Sequence, residues 1–378
     1  MLQVREFNQL GDLDSLRPAW QRLLSGTPAH SFFQTLEWLE IAWGNYRLPQ
    51  KLRVVLVERD GQPVGIVPFC VRVEQRRMGR LRVLTYPLDD WGPFFGPIGP
   101  EPQVALQAAI EHVAATPRDW DFIDLRWVDE SAPEFMVAGE ALRSAGYSFI
   151  TRPRMEVRIC RMTEGWEAYV ASRSRNWRRE MRRHHELLEK AGGPVNLVRY
   201  RPAAGSGDEA AHLEVYDVCE RIAAHSWQAA AESQSTLCSP RVRDVLRRLH
   251  VAAARLGMLD VNILTVGDRP VAYNYNYFAA GRILGLRCGF DQTAGLENCG
   301  KLLLYKMLED AAVRGDVEYN FGPGRQPYKD RFATEMRRAY TFRHYARYSL
   351  RSQLMNLKER MASRIYSEEA LIERQLVS

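Results

Sequence analysis

Apolar and polar positions along this chain follow one plan twice. Leu52-Arg-Val-Val-Leu-Val-Glu-Arg-Asp-Gly-Gln-Pro-Val-Gly65 is an extended β-rich run, a Gly/Asp turn, and a Pro-Val opening of a second strand. The same order returns 207 positions later in Leu259-Asp-Val-Asn-Ile-Leu-Thr-Val-Gly-Asp-Arg-Pro-Val-Ala272. The first copy predicts a strand at Val4–Phe7, a helix from Asp14 to Leu24, and a second helix begun within Phe32–Trp38 with Thr35 as its N-cap. A hairpin at 53–72, a helix at 102–115 and a strand at Trp120–Trp127 follow. The second copy predicts a strand at 195–200, helices at 209–224 and 240–256, a hairpin at 260–278, and a strand at 282–290. A helix at 301–313 and the strand Val317–Phe321 close it. An internal duplication of this kind sets the whole fold.

Between the copies, Ser172 to Lys190 is helical, with Trp177, Met181, His184 and Leu188 on a stripe that can pack. Arg175, Arg178, Arg179 and Arg182 cluster on another face, either to meet phosphates or as a solvated surface. From Tyr328 onward there is no Gly or Pro, and Leu350, Leu354, Leu357, Met361 and Ile365 share one helical stripe. Docking on the body or pairing with another subunit, as in a homodimer, is expected for it. A membrane role is less expected, because its polar face mixes Glu with Lys and Arg. The organisation expected is an N-terminal unit 1–170, a basic linking helix 171–193, a C-terminal unit 194–348 carrying the donor site, and a helical tail 349–378.

A chain of 378 residues is long for one core and comfortable for two. Its 46% hydrophobic and 26% charged residues mark a folded rather than a disordered protein. The six cysteines show no metal-ligand spacing with the eight histidines, so no metal is expected and the thiols read as buried apolar groups in a reducing compartment. The N-terminus lacks the pattern of a signal peptide, and no apolar run reaches the roughly 20 residues of a membrane span. A cytoplasmic location is expected, with peripheral contact to the inner membrane left open. The formal charge of +6 suits an anionic partner without selecting one.

Helix, hairpin, strand, loop, helix, strand is the running order of the GNAT N-acetyltransferase fold. Two such units resemble the Fem family of aminoacyl-tRNA-dependent peptidyl transferases, and still more its acyltransferase relatives associated with cellulose and exopolysaccharide biosynthesis. Four segments carry the likeness: Phe33–Trp38, the arginine-rich helix at 172–183, Ser226-Trp227, and Asn320-Phe-Gly-Pro-Gly-Arg-Gln-Pro-Tyr-Lys-Asp-Arg-Phe332. The resemblance implies an α/β fold of two tandem GNAT-like units, each a mixed, mostly antiparallel sheet flanked by helices. It also implies an acyl-CoA co-substrate, acetyl-CoA first among them. Relatives usually carry Asp where Asn320 stands, so a carboxylate base at that point is lost here.

Gly295-Leu-Glu-Asn-Cys-Gly300-Lys301-Leu302 nearly spells a Walker A loop, but Leu302 stands where a hydroxyl must hold magnesium. The backbone argument survives: a glycine loop opening a helix offers N–H groups and a positive dipole end to an anion. Gly295, Asn298, Gly300 and Lys301 are therefore candidates for the pyrophosphate of coenzyme A, against the plainer reading of a helix start with an incidental lysine. Tyr328 and Lys329 follow a strand and a Gly-Pro-Gly turn, where α/β sheets place chemistry. A tyrosine there can protonate a departing thiolate and a lysine can stabilise an oxyanion; in Fem-type relatives the matching lysine is implicated in that stabilisation. Asp89, Asp90 and Trp91 in an aromatic loop, with Gln34 and Trp38, Arg175, Arg178, Arg179, Asn320 and Arg325, are candidates for holding an acceptor. Turn capping and helix anchoring are the structural alternatives.

The reading is an enzyme, an acyltransferase moving an acyl group from acyl-CoA to an amine or hydroxyl of a small-molecule or nucleotide- or lipid-linked envelope or polysaccharide precursor. One rival is an aminoacyl-tRNA-dependent transferase, for which the arginine face would meet tRNA. Against it, the chain lacks the long helical hairpin that some tRNA-using relatives insert. The other rival is a catalytically inactive binding subunit of a polysaccharide synthase, favoured by Asn320 and opposed by Tyr328 and Lys329.

Overall fold

The computed structural model describes residues 1–365 apart from 47, 77–78, 89–90, 206, 208, 228, 230–236, 241 and 325. In chain order the first elements are β1 (Leu2–Phe7), α1 (Arg17–Ser25), α2 (Leu36–Trp43), β2 (Gln50–Arg59), β3 (Gln62–Arg76), β4 (Gly79–Thr85), α3 (Pro102–Ala115), β5 (Phe122–Asp129) and α4 (Glu134–Ser144). Then come β6 (Ile150–Arg161), α5 (Trp166–Ser172), α6 (Arg175–Gly192), β7 (Val195–Tyr200), α7 (Glu209–Ala224), α8 (Arg243–Arg255), β8 (Leu259–Val266) and β9 (Arg269–Ala279). The last are β10 (Arg282–Phe290), α9 (Cys299–Val313), β11 (Glu318–Pro323), α10 (Pro327–Phe332), β12 (Glu335–Tyr345) and α11 (Leu350–Ile365). They form two compact units, Met1–Val157 with Met336–Ser378, and Arg158–Glu335. The arginine-rich helix α6 thus belongs to the second unit, and β12 and α11 return to the first.

The two units repeat one topology. In the first, β1, β2, β3 and β4 pair antiparallel in that order and β4 pairs parallel with β5. In the second, β7, β8, β9 and β10 do the same, and β10 pairs parallel with β11. The duplication reaches single residues. The turn after β2 runs through Asp60 and Gly61 at positive φ, as a tight hairpin between right-twisted strands requires. Beyond it, the ladder matches Glu58 to Pro63 and then Val57 to Gly65, skipping Val64. In the second hairpin Thr265 matches Pro270 and Leu264 matches Ala272, skipping Val271. Each proline lacks the N–H that a regular register would use, so the same bulge recurs at the same place.

In the first unit, Leu13, Trp20, Leu23, Leu36 and Leu39 pack on Leu52, Val54, Leu56 and Ile66 of the hairpin. Thr35 caps α2 as its sequence predicts, its hydroxyl accepting the Trp38 N–H at 3.0 Å. In the second unit, Trp177 and Met181 of α6 join Met307 and Leu308 of α9, Tyr319 and Phe321 of β11, and Phe332 of α10. Leu188 meets Leu264, Val271 and Leu302 in a neighbouring cluster. The tail helix packs on the first unit through a different face from the apolar stripe. Helix α11 is seated by Met355, packed on Phe122 and Tyr345, and by the Ser352 hydroxyl donating to the Asp121 carbonyl at 2.7 Å. Leu350, Leu354, Leu357 and Met361, the stripe expected to dock or to pair with another subunit, are each at least 51% exposed. Among the described residues no helix is long and apolar enough to cross a membrane.

Candidate functional site

In the second unit, β10 and β11 pair parallel over three residues only, Arg282↔Glu318 to Leu284↔Asn320. Two features end the pairing. The β10 register slips between Gly285 and Arg287, and Asn320 accepts the Gly322 N–H on Oδ1 at 2.8 Å, turning the chain at a φ of +68°. The strands touch closely just before they part. A Cβ on Gly285 would lie 2.6 Å from the Tyr319 hydroxyl, and one on Gly322 2.9 Å from the Gly285 carbonyl oxygen. Asn320 therefore has a structural task that an ionised aspartate could also perform.

Cys288 on β10 and Tyr328 and Lys329 on α10 share the opening. The Tyr328 hydroxyl is 3.8 Å from Cys288 Sγ. Burial, then the neighbouring Cys288 and Tyr319, push the Tyr328 phenol far up, so it keeps its proton. Lys329 is 4% exposed. Its ammonium donates to the Pro323 carbonyl at 2.5 Å and the Gly322 carbonyl at 3.3 Å, so two of its three N–H bonds are engaged. Burial brings its pKa down to about 8, with Arg158 acting in the same direction. Arg158 is in turn paired with Asp330 on α10. Lys329 is thus a buried cation with one donor to spare, beside a neutral phenol and a thiol.

Gly295 at φ +66° and Asn298 at φ +63° lead into α9. Asn298 makes no side-chain cap and no acidic residue lies in the first turn, so the helix offers uncapped N–H groups and its positive dipole end. A Cβ on Gly300 would meet only the Phe290 ring, at an ordinary 3.7 Å. The fold does not require glycine there, which leaves room for an anion to approach the backbone. Lys301 donates to Asn298 Oδ1 at 3.2 Å and lies 3.7 Å from Glu180 of α6. Glu180 also binds Arg331 and His184. The Arg331 hydrogen bond, with His184 and Lys301, lowers its pKa to about 2. Sequence reasoning passed over Glu180, Cys288 and Arg158; a lone acid in an arginine-rich helix is the one signal that could have marked Glu180.

The remaining candidates fall in other places. Gln34 is buried in the first unit, its Oε1 accepting the Ser31 N–H at 3.1 Å and its Nε2 donating to the Gly96 carbonyl at 3.3 Å. Trp38 is buried edge-on to Phe33 and Trp91, with centroids 4.6 and 5.6 Å away. These contacts hold the loop to α2. Arg175, Arg179 and Arg182 are exposed on the face of α6 away from Trp177 and Met181, and Arg178 is half-buried on its flank. Asp89, Asp90 and Arg325 lie outside the described residues.

Residues 175–330 match the acetyltransferase (GNAT) domain family. No curated protein matches the chain by sequence. Among solved structures, FemX is similar over 94% of this chain and 99% of its own, at 12% identity and a TM-score of 0.57. The C-terminal domain of a protein assigned as a lysylphosphatidylglycerol synthetase in Agrobacterium fabrum is similar over 91% of this chain and 96% of its own, at 10% identity and a TM-score of 0.55. L-PGS from Bacillus licheniformis is similar over 90% and 96%, at 13% identity and a TM-score of 0.54. At these identities the likeness is one of fold. The fold is α/β with two tandem GNAT-like units, and the second unit contains the match to the acetyltransferase domain.

Proposed function

We propose that the second unit transfers an acyl group from an acyl-CoA thioester to an amine or hydroxyl. The observation that carries this reading is the parting of β10 from β11, with Tyr328, Lys329 and Cys288 gathered in the opening. The α9 start, with Gly295, Asn298, Gly300 and Lys301, would hold the donor's pyrophosphate. Lys329 would hold the negative charge that develops on the carbonyl oxygen as the nucleophile attacks. Tyr328 would give its proton to the sulfur that leaves, and the phenolate so formed would take the proton that the attacking amine or hydroxyl sheds. Positioning supplies the rest of the acceleration. Acetyl-CoA is the donor to try first. Acceptors to try are amino sugars and nucleotide- or lipid-linked precursors of polysaccharide or envelope, a choice resting on family likeness.

The exposed arginines of α6 support a second reading, in which an aminoacyl-tRNA is the donor and activity falls steeply with salt. Thermal shift and calorimetry with coenzyme A, acetyl-CoA and a long-chain acyl-CoA separate the two. Micromolar binding, about −8 kcal/mol, that Lys301→Glu weakens about tenfold is the expected result. Absence of binding by every thioester would overturn the acyl-CoA reading and make charged tRNA the next ligand.

A further inference from the structure

Away from that site, the first unit contains a cavity of about 740 Å³ walled by the end of α3, the 146–148 loop, the end of β12 and α11. This is the size range of small-molecule pockets. Its inner wall is aromatic: Tyr147 stacks on His344 with centroids 4.3 Å apart, and Trp120 meets both edge-on. Trp120 is 2% exposed, and its indole N–H has no acceptor among the described residues.

The charge of the cavity has one sign. Arg118, Arg347 and Arg360 line it and, among the described residues, no carboxylate does. Arg118 lies over the Trp120 ring and Arg347 over Tyr348, with no acidic partner for either among the described residues. The acids nearby in sequence are engaged elsewhere, Asp119 by Lys51 and Arg53, Asp121 by Arg82 and Glu359 by Arg343. Burial, and secondarily Arg118, hold the His344 pKa below its usual value, so that ring adds no charge.

The rim adds a flat apolar surface and an amide pair. Tyr348 is 85% exposed and Leu357 more than half exposed, both lining the cavity. Gln353 uses its N–H₂ group on the Tyr345 and Ala346 carbonyls, leaving its oxygen to accept. Asn356 uses its oxygen on Arg360, leaving its N–H₂ group to donate. One acceptor and one donor, three residues apart on a helix, match the donor–acceptor edge of a nucleobase. We infer that this cavity is a second ligand site, separate from the acyl-transfer site and built for a nucleotide, with the base against Tyr348, Gln353 and Asn356 and the phosphates on Arg118 and Arg347.

Calorimetry on the full chain tests it with uridine and adenosine diphosphates as probes and with uridine, adenosine and inorganic pyrophosphate as controls. Three variants are compared: Arg118→Glu with Arg347→Glu, Gln353→Leu with Asn356→Leu, and Lys301→Glu. All the cavity substitutions lie on exposed or half-buried side chains, and a thermal melt confirms that each variant is folded. The expected result is saturable binding of at least one diphosphate, weakened about tenfold or more by the double charge reversal and several-fold by the amide pair, but unaffected by Lys301→Glu. Nucleoside and pyrophosphate alone each bind at least tenfold more weakly. The inference is overturned if neither diphosphate binds. It is equally overturned if Lys301→Glu removes the binding while the charge reversal spares it, since the nucleotide then occupies the α9 loop. Pyrophosphate binding as tight as the nucleotide's would leave only an unselective anion patch and also overturn it.

Discussion

The two units share strand order, hairpin bulge and parallel final pair, yet the gap between their parallel strands is put to opposite uses. In the first unit β4 and β5 pair only at Val83↔Phe122 and Leu84↔Ile123. The gap beyond is plugged: Phe95 donates its N–H to the Trp127 carbonyl at 3.1 Å, and Tyr86 packs between Phe69 and Phe95. Trp127 is wholly buried at a φ of +68°, an expensive conformation for a bulky residue. The helix that follows also starts without a side-chain cap, but it is less suited to an anion. α3 begins with Pro102, which has no N–H to offer, behind Glu101, which is paired with Arg59. In the second unit a thiol, a phenol and a lysine occupy the matching gap, and the matching helix starts uncapped beside Lys301. One copy of the fold has become a packed core, and the other keeps buried polar groups where its parallel strands part.

If that contrast holds, damage to the plug reads as stability and damage to the open gap reads as activity. Trp127→Ala should destabilise the protein by about 3–5 kcal/mol, the usual cost of emptying an aromatic site, with a denaturant midpoint as the measure. Lys329 should behave in the opposite way. Lys329→Met should lower kcat by about 10²–10³, as for loss of an oxyanion donor, without lowering the melting temperature. The reason is that burial already disfavours this ammonium, as its lowered pKa of about 8 records. A Lys329→Met protein that melts early would make the lysine a structural group. One that melts normally and keeps its in-cell activity would favour an inactive binding subunit.

The sequence made the duplication readable because the Pro-Val signal and its bulge are local. Thr35, the 102–115 helix and the strand 195–200 were readable for the same reason. What stayed hidden is the set of strands whose charges face inward. β12 buries Arg337, Thr341, Arg343 and His344 and shows no apolar alternation, and in β6 the alternation of Met155, Val157 and Ile159 is short and broken by a buried Glu156. Their stability depends on a partner far away in sequence. Burial opposes the charge of Asp124, but Arg126 and Arg343 hold its carboxyl far below the usual range, and Thr341 donates to it. In the candidate site, Lys329 and Tyr328 were legible from their place after a strand, whereas Cys288 and Glu180 join them only through tertiary packing.

Smaller effects separate the two helix starts. Lys301→Glu should weaken coenzyme A binding about tenfold, by loss of one cation and gain of one anion at partial exposure, while Glu101→Lys at α3 should create no binding. Gly300→Ala is the finer probe. It should raise the melting temperature slightly, since alanine is worth up to about 1 kcal/mol over glycine in a helix and the added Cβ has room. It should also weaken donor binding by crowding the backbone. Unchanged affinity in Gly300→Ala would remove the pyrophosphate from this loop. The pH profile adds a sign: an oxyanion held by the Lys329 ammonium predicts kcat/KM falling as pH rises through about 8. A rise through the same pH would make the neutral amine the acting form, a general base.

The smallest expected effect bears on the arginines of α6. Arg175 and Arg179 point away from the face that packs on the second unit's core, and neither has an acidic partner among the described residues. If the donor is a thioester held at α9, an Arg175→Glu, Arg179→Glu double variant should change kcat/KM by less than about twofold, as expected for exposed charges that salt screens. If the donor is a charged tRNA, the same variant loses two phosphate contacts. The salt dependence of binding should then fall by close to two in log–log slope. Measuring activity from 50 to 200 mM salt in both proteins therefore distinguishes a difference in chemistry from a difference in surface. A flat, superimposable pair of curves leaves the contrast between the two units as the whole basis of function. A steep curve that the double variant flattens places part of the donor's affinity on α6, outside the duplicated sheet.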